Sequence, residues 1–460
     1  MSGAAATVTA VPQHSRRGLT VGLLLCVVAI AFESMAVLTA MPAAAKDLGD
    51  VDLYAWAFTA FGIAQTFAIV AAGQFSDRVG PKLPMIVGFA VFAAGLVVAG
   101  SAPTMPLLLV GRFIQGLGGG TMNLAVMVLV ARVFDEQERA RMLTGFSAAW
   151  MGPSFLGPPI AAWLTVNASW HWVFWSVLPL LLLAGALIIR PLLRAELPPH
   201  ALVATNRRQL WSAALAALGA MALQLAGQRI EWWSLAWLAA GLGLLWFALP
   251  ALLPTGFRAW GAGLDAVIVN RSAMSAGFVG AQSFLPLVLV QAEGFSLQAA
   301  GVILTIGSIG WMAGAWLQSR PWLQVRRDRI IAAGAASSAL GLTATAVAGW
   351  LPGRLVPLSV TGWVFAGLGM GLAVASTSLA VMQLSPPVEI GRNTSSLQVG
   401  EALGASIGAG LAGTMFVLGT SRADSTLGFG GLLTLMAVLS IVGLAAAVRI
   451  GPVENHSVSL

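Results

Sequence analysis

Glu33 is the one acidic residue in the apolar run "VVAIAFESMAVLTAMP" (Val27 to Pro42), and Arg112 stands equally isolated in "LLLVGRFIQGLGGG". A charged side chain at the centre of a bilayer costs about 2.5–3.5 kcal/mol or more, so an intramembrane ionisable residue is functional by default. Three kinds of chemistry suit a carboxylate placed there. It carries protons, it forms a fixed ion pair that holds helices together, or it anchors cationic substrates. Proton carriage is the preferred reading, and it overlaps the third if substrate and proton compete for one site. Glu401, in "SLQVGEALGASIGAG", is the other deeply placed carboxylate. A second protonation or substrate site and a polar contact to a neighbouring helix suit it equally.

Such residues need membrane spans to carry them. The chain has 460 residues, 58% hydrophobic and 9% charged, with a mean hydropathy of +0.86. Soluble domains carry about 25% charged residues, so the composition describes an all-α polytopic membrane protein. With about 20 apolar residues per span, fourteen segments emerge. They lie near 19–42, 53–74, 83–101, 106–131, 140–164, 170–189, 209–228, 232–253, 266–290, 298–318, 329–350, 355–381, 393–418 and 427–449. The first is too long for a secretory signal, whose apolar core runs to about 7–15 residues.

Depth can be read from these bounds. Span one runs outward, and Glu33 lies roughly 13 Å short of its outer end at 1.5 Å per residue. Span four runs inward, which puts Arg112 roughly 9–10 Å below the same surface. Opposite charges at similar depth offset each other's burial. Arg112 favours the charged form of Glu33 and loss of water favours the protonated form, so changing hydration would let the carboxylate bind and release a proton.

Loop charges set the orientation. With the N-terminus in the cytoplasm, nineteen of the 24 Lys and Arg residues fall on that side, Arg271 among them. Only Lys46, Arg229, Arg354 and Arg422 lie outside, leaving Arg112 within a span. This follows the positive-inside bias, and an even span count puts both termini in the cytoplasm. The polar stretch Arg190 to Gln209 reads as a connector. The expected organisation is a six-helix bundle over 1–189, a cytoplasmic linker over 190–208, an inserted hairpin over 209–253 and a second six-helix bundle over 254–460.

Between spans two and three stands "GQFSDRVGPK" (Gly73 to Lys82). Gly73 allows close helix approach and Gly80 a tight turn, while Asp77, Arg78 and Lys82 put both charge signs into a short cytoplasmic loop. The spacing G-x-x-x-D-R-x-G-x-K resembles the signature loop of the major facilitator superfamily, with Pro81 in place of a basic residue. Span four continues the resemblance through Arg112, Gln115 and Gly116. "GPSFLGPPIAAW" in span five resembles the antiporter signature through Gly157 and Pro158, with the earlier glycine displaced to Gly152 and Ala161-Ala162 replacing paired glycines. "WHWVFWSVLP" is similar to the family's start of span six, with His171 where Arg is common. The acid nine residues before Pro42 resembles that of the fourteen-helix drug:proton antiporters. The matches cover roughly residues 30–180; the second half's counterpart loop, "LQSRPWLQVRRDR", is degenerate.

The resemblance implies the major facilitator fold and a proton-coupled exporter of hydrophobic or amphipathic small molecules, working by alternating access without a cofactor and driven by the proton gradient. It also implies that Asp77 faces the positive N-terminal end of span thirteen, near Asn393, as a gate contact of about 0.3–1 kcal/mol; a solvated loop aspartate is the plainer alternative. Gln115, Asn123, Trp150, Gln282 and Gln383 are candidates for lining a substrate cavity, although helix-to-helix hydrogen bonding is at least as good an account of each. Gly400, Gly404 and Gly408 share one face and suit close helix packing. Expected partners are a small-molecule substrate, protons and the lipid bilayer, with no nucleic acid and a monomeric chain. Two lysines against frequent arginine, with Ala and Gly dominant, suggest a GC-rich bacterium and its cytoplasmic membrane.

Other classes leave no trace. The four histidines (His14, His171, His200 and His456) have no partner at metal or nucleophile spacing. Cys26 is the single cysteine, which excludes a disulfide within the chain, and no Walker loop is present. An enzyme is therefore not expected. Export of a lipid or siderophore, proton-coupled solute import and uniport stay open, and a non-transporting sensor or scaffold is the remote alternative.

Overall fold

Backbone groups in hydrocarbon have no water to bond, so an apolar span closes its hydrogen bonds within itself as a helix. The computed structural model does this with each apolar segment. It describes residues 13–454 except 135, 195–206, 229–230, 321, 352–354, 387–388 and 422–424. Among the described residues the regular structure is α-helical, with one 3-10 turn at Val51–Leu53.

The first half comprises α1 (Gln13–Asp47), α2 (Trp56–Val79), α3 (Lys82–Gly100), α4 (Met105–Val133), α5 (Glu136–Asn167), the short α6 (His171–Trp175) and α7 (Val177–Arg194). The hairpin is α8 (Arg207–Gln228) and α9 (Ser234–Leu252). The second half comprises α10 (Leu264–Gln291), α11 (Leu297–Gln318), α12 (Arg327–Gly349), α13 (Val356–Leu384), α14 (Ile390–Ser421) and α15 (Ser425–Ala447). Thirteen of the helical segments are long and apolar enough to cross a membrane. The predicted fifth span, α5, has the length, but Gly, Ser and the internal Pro153, Pro158 and Pro159 dilute its hydropathy.

Helix pairing repeats between the halves. α1 packs on α5 and α7 as α10 packs on α14 and α15; α4 packs on α2 and α3 as α13 packs on α11 and α12. The architecture is thus two six-helix bundles plus an inserted hairpin. Small residues bring the paired backbones together: a Cβ added at Gly111 of α4 would meet the Ala99 backbone nitrogen of α3 at 2.6 Å. Without a hydrophobic drive between helices in lipid, such close packing supplies the association.

The hairpin lies across both halves. α8 packs on α2 and on α14, and its Ala213, Ala216 and Ala220 share an apolar core with Ile63 and Val70 of α2 and Val399 and Leu403 of α14. α9 covers α8 and shows its other face outward, with Trp246 and Phe247 exposed. That large apolar surface suits lipid rather than water.

The end of the bundle carrying the α2–α3 turn is called the basic end below, since Arg78, Lys82, Arg207, Arg208, Arg392 and Arg449 gather there. The halves meet near the opposite end. Tyr54 donates its hydroxyl hydrogen to the Ser283 carbonyl at 2.7 Å, Thr305 donates to the Phe155 carbonyl at 3.2 Å, and Gly301 of α11 sits against the Pro158 carbonyl of α5. At the basic end a cavity of about 890 Å³ separates the last turns of α2 from the first turns of α14.

Candidate functional site

Helical periodicity makes the Arg112 and Gln115 side chains neighbours, three residues apart on one face of α4. Both turn toward α1, where Glu33 is fully buried. Arg112 forms an ion pair with Glu33 through Nη1 and Oε1. The same Nη1 donates to Gln115 Oε1 at 3.0 Å, and Gln115 Nε2 donates to Glu33 Oε1 at 3.3 Å. Arg112 Nε donates to the Ala57 carbonyl of α2 at 2.9 Å. Its guanidinium carbon stands 4.5 Å from the centre of the Phe61 ring, a cation–π distance. Three helices therefore hold one guanidinium, and no protein group hydrogen-bonds Glu33 Oε2.

α1 continues through Pro42 to Asp47, five residues past the predicted end of span one. Membrane helices tolerate an internal proline because neighbouring groups re-satisfy the freed carbonyl. Glu33 thus lies farther from the end of its helix than the predicted depth allowed, yet the pairing with Arg112 forms.

The second buried arginine corrects the sequence reading. Arg271, placed on the cytoplasmic side by the loop-charge count although the span predicted over 266–290 contains it, lies inside α10 and is 6% exposed. Its Nη2 pairs with Glu401 Oε2 of α14 at 2.8 Å, and its Nη1 donates to the Val374 carbonyl at 2.6 Å and to Thr377 Oγ1 at 3.0 Å, both on α13. The helix starts two residues before the expected span and its arginine turns inward, so charge alone misassigned it to the loop. Asn270 and Ser272 beside it were the available signal: three polar residues in a row at a span start suit a packed helix as well as a loop. The Glu401 side chain is 35% exposed, against none for Glu33. The two pairs also join different helices of the repeated pattern, α1 to α4 in the first half and α10 to α14 in the second.

The remaining predicted residues spread more widely. Gly80 caps α2 with φ +78°, a conformation that favours glycine. Gly73 does not mark a close approach, because an added Cβ would stand 3.5 Å from Leu124 Cδ2, an ordinary contact. Arg78 is exposed, and Lys82 opens α3. The Asp77 side chain lies outside what the structure describes, and so does its expected contact with α14. Asn393 is buried and donates from Nδ2 to Ser385 Oγ at 3.0 Å. Gly157 packs on Met35 of α1, two residues from Glu33, while the Pro158 carbonyl meets α11. These two residues thus lie where the halves touch. Gly400, Gly404 and Gly408 face Ser272 and Ala276 of α10 at closest packing. Gln115 joins the Glu33 cluster, whereas Asn123, Trp150 and Gln383 are exposed and Gln282 is half-buried. The structure does not gather these last four into one cavity.

Two repeated six-helix bundles, charged residues buried between their helices and contacts between the halves that gather toward one end define a membrane transporter fold. The profile of the Major Facilitator Superfamily matches residues 23–409, and the chain belongs to that family, one of transporters rather than enzymes. It is similar to the multidrug transporter protein MdtP of Bacillus subtilis, 27% identical over 419 residues, covering 88% of this chain and 76% of that one. It is also 25% identical, over 88% of each chain, to a probable multidrug-efflux transporter of Mycobacterium tuberculosis. Among solved structures, the peptide transporter POT in complex with sulfate superposes with a TM-score of 0.71 over 95% of each chain at 17% identity. That last likeness concerns the fold alone.

Proposed function

We propose that the chain is a proton-coupled exporter of hydrophobic or amphipathic small molecules, multi-pass in a bacterial cytoplasmic membrane with its basic end in the cytoplasm. The observation that carries the coupling is the sealed Glu33–Arg112–Gln115 cluster. One oxygen of the carboxylate is shared by two donors and the other has no protein partner. Water reaching the cluster in one conformation delivers a proton to Oε2. Arg112 then keeps its bonds to Gln115 and the Ala57 carbonyl, and the neutral acid is free to part from it. When Arg112 pairs with the carboxylate again its charge favours the ionised form, and the proton leaves to water on the other side. The multidrug names of the relatives support the substrate class.

In this reading the structure is the inward-open state, closed near the outer end by the Tyr54, Thr305 and Pro158 contacts and open at the basic end. The Arg271–Glu401 pair, reached by solvent through Glu401, is the proposed second charged site, serving protons or substrate. The test is flux of ethidium from proteoliposomes under an imposed pH gradient. Wild type should move the dye against its gradient. Glu33→Gln should abolish that movement while the protein stays monodisperse and still binds the dye. Full gradient-driven export by Glu33→Gln would remove the coupling assignment.

A further inference from the structure

The cavity at the basic end carries two cations and no acid among its described lining residues. Arg208 enters from the start of α8 and Arg392 from the start of α14. Gln209, Thr394, Ser395 and Gln398 add side-chain donors around them. Arg392 is held in place by Nη2, which donates to the Leu253 carbonyl just past α9 at 3.2 Å. Thr394 Oγ1 is buried with no hydrogen-bond partner, and the first turn of α14 adds the positive end of a helix dipole. Ile69, Val70, Leu124, Pro250 and Ala251 form an apolar part of the wall, beside Gln74 and Thr255. Outside it the hairpin shows Trp211 at the level of the arginines, 69% exposed, as aromatic residues lie at a membrane interface.

From this geometry we infer that the cavity binds the phosphate headgroup of an anionic phospholipid from the leaflet at the basic end. Arg208 and Arg392 grip the phosphate with charge-assisted hydrogen bonds, and the apolar wall takes the first methylenes of the chains. Basic pockets between membrane helices on the cytoplasmic side have this specificity. The lipid would bridge the hairpin and the second half within the opening between α2 and α14. The inference does not depend on which compound is transported.

The experiment is a melting titration of the purified transporter in neutral detergent with phosphatidylglycerol, phosphatidylcholine or inorganic phosphate. Phosphatidylglycerol should raise the Tm of wild type and phosphatidylcholine should not. The double variant R208Q/R392Q should need about tenfold more phosphatidylglycerol for the same shift, each single variant an intermediate amount. R329Q, an exposed arginine at the same end, should behave as wild type. Equal phosphatidylglycerol responses from wild type and the R208Q and R392Q single variants would overturn the site, and these singles decide the matter if the double variant does not fold. A shift with inorganic phosphate alone, lost in the same variants, would overturn the lipid assignment in favour of a soluble anion.

Discussion

At the scale of single residues, Glu33 and Arg112 differ in what their loss leaves behind. Arg112→Ala strands a carboxylate with only Gln115 for company, and removing one partner of a buried pair typically costs about 3–5 kcal/mol. Its expected signature is a lower melting temperature that partly recovers when Glu33→Gln is added. An unchanged melting temperature in Arg112→Ala would show that the pair has no structural role. Glu33→Gln alone leaves an amide that still accepts from Arg112, so its defect should lie in transport and not in stability. The isolation of both charges in apolar runs made them legible in the sequence. Arg271 was not legible, because an arginine near a span start looks the same whether it turns to the cytoplasm or into the bundle. Only the positions of Glu401 and Thr377 decide between the two.

At the scale of elements, α14 packs on α10 and α15 of its own half, on α2 of the other half and on α8 of the hairpin. A Cβ at Gly404 would run into the Ser272 carbonyl of α10, which is backbone and cannot swing aside. Gly404→Val should therefore destabilise the protein by about 1–3 kcal/mol through overpacking, read as a drop in melting temperature. Gly152→Ala, where an added Cβ meets nothing within 4 Å, should cost little and serves as its control. Equal melting temperatures for the two variants would mean that α14 and α10 shift apart freely. Four-residue glycine spacing predicted a packed face on α14, but the partner helix could not be named from spacing. The hairpin shows the same division. Its two apolar runs were plain in the sequence, while its seat across α2 and α14 depends on alanines meeting residues nearly two hundred positions away.

At the scale of the whole molecule, the proposed alternating access requires that the contacts between halves opposite the basic end come apart. Ala55 of α2 and Gly413 of α14 are in direct contact there, with a Cβ added at Gly413 3.8 Å from the Ala55 Cα. The two Cβ positions lie closer together than the about 3.5–4.5 Å of a disulfide, so a cysteine pair forms the bond with a small outward shift at this contact, and the natural Cys26 is buried. Oxidising Ala55→Cys/Gly413→Cys should stop transport, and a reductant should restore it. Transport that continues with the bond fully formed would mean that this face stays shut throughout the cycle.

The sequence by itself determined the helical spans, the repeat of six, the hairpin between, the two carboxylates within spans and the pairing of Glu33 with Arg112, because hydropathy, isolated charge and depth along a span are local properties of the chain. Which arginine Glu401 meets, which face the hairpin covers and which end of the bundle stands open are set by contacts between distant segments. Those contacts exist only once the helices have packed, so the tertiary structure alone decided them.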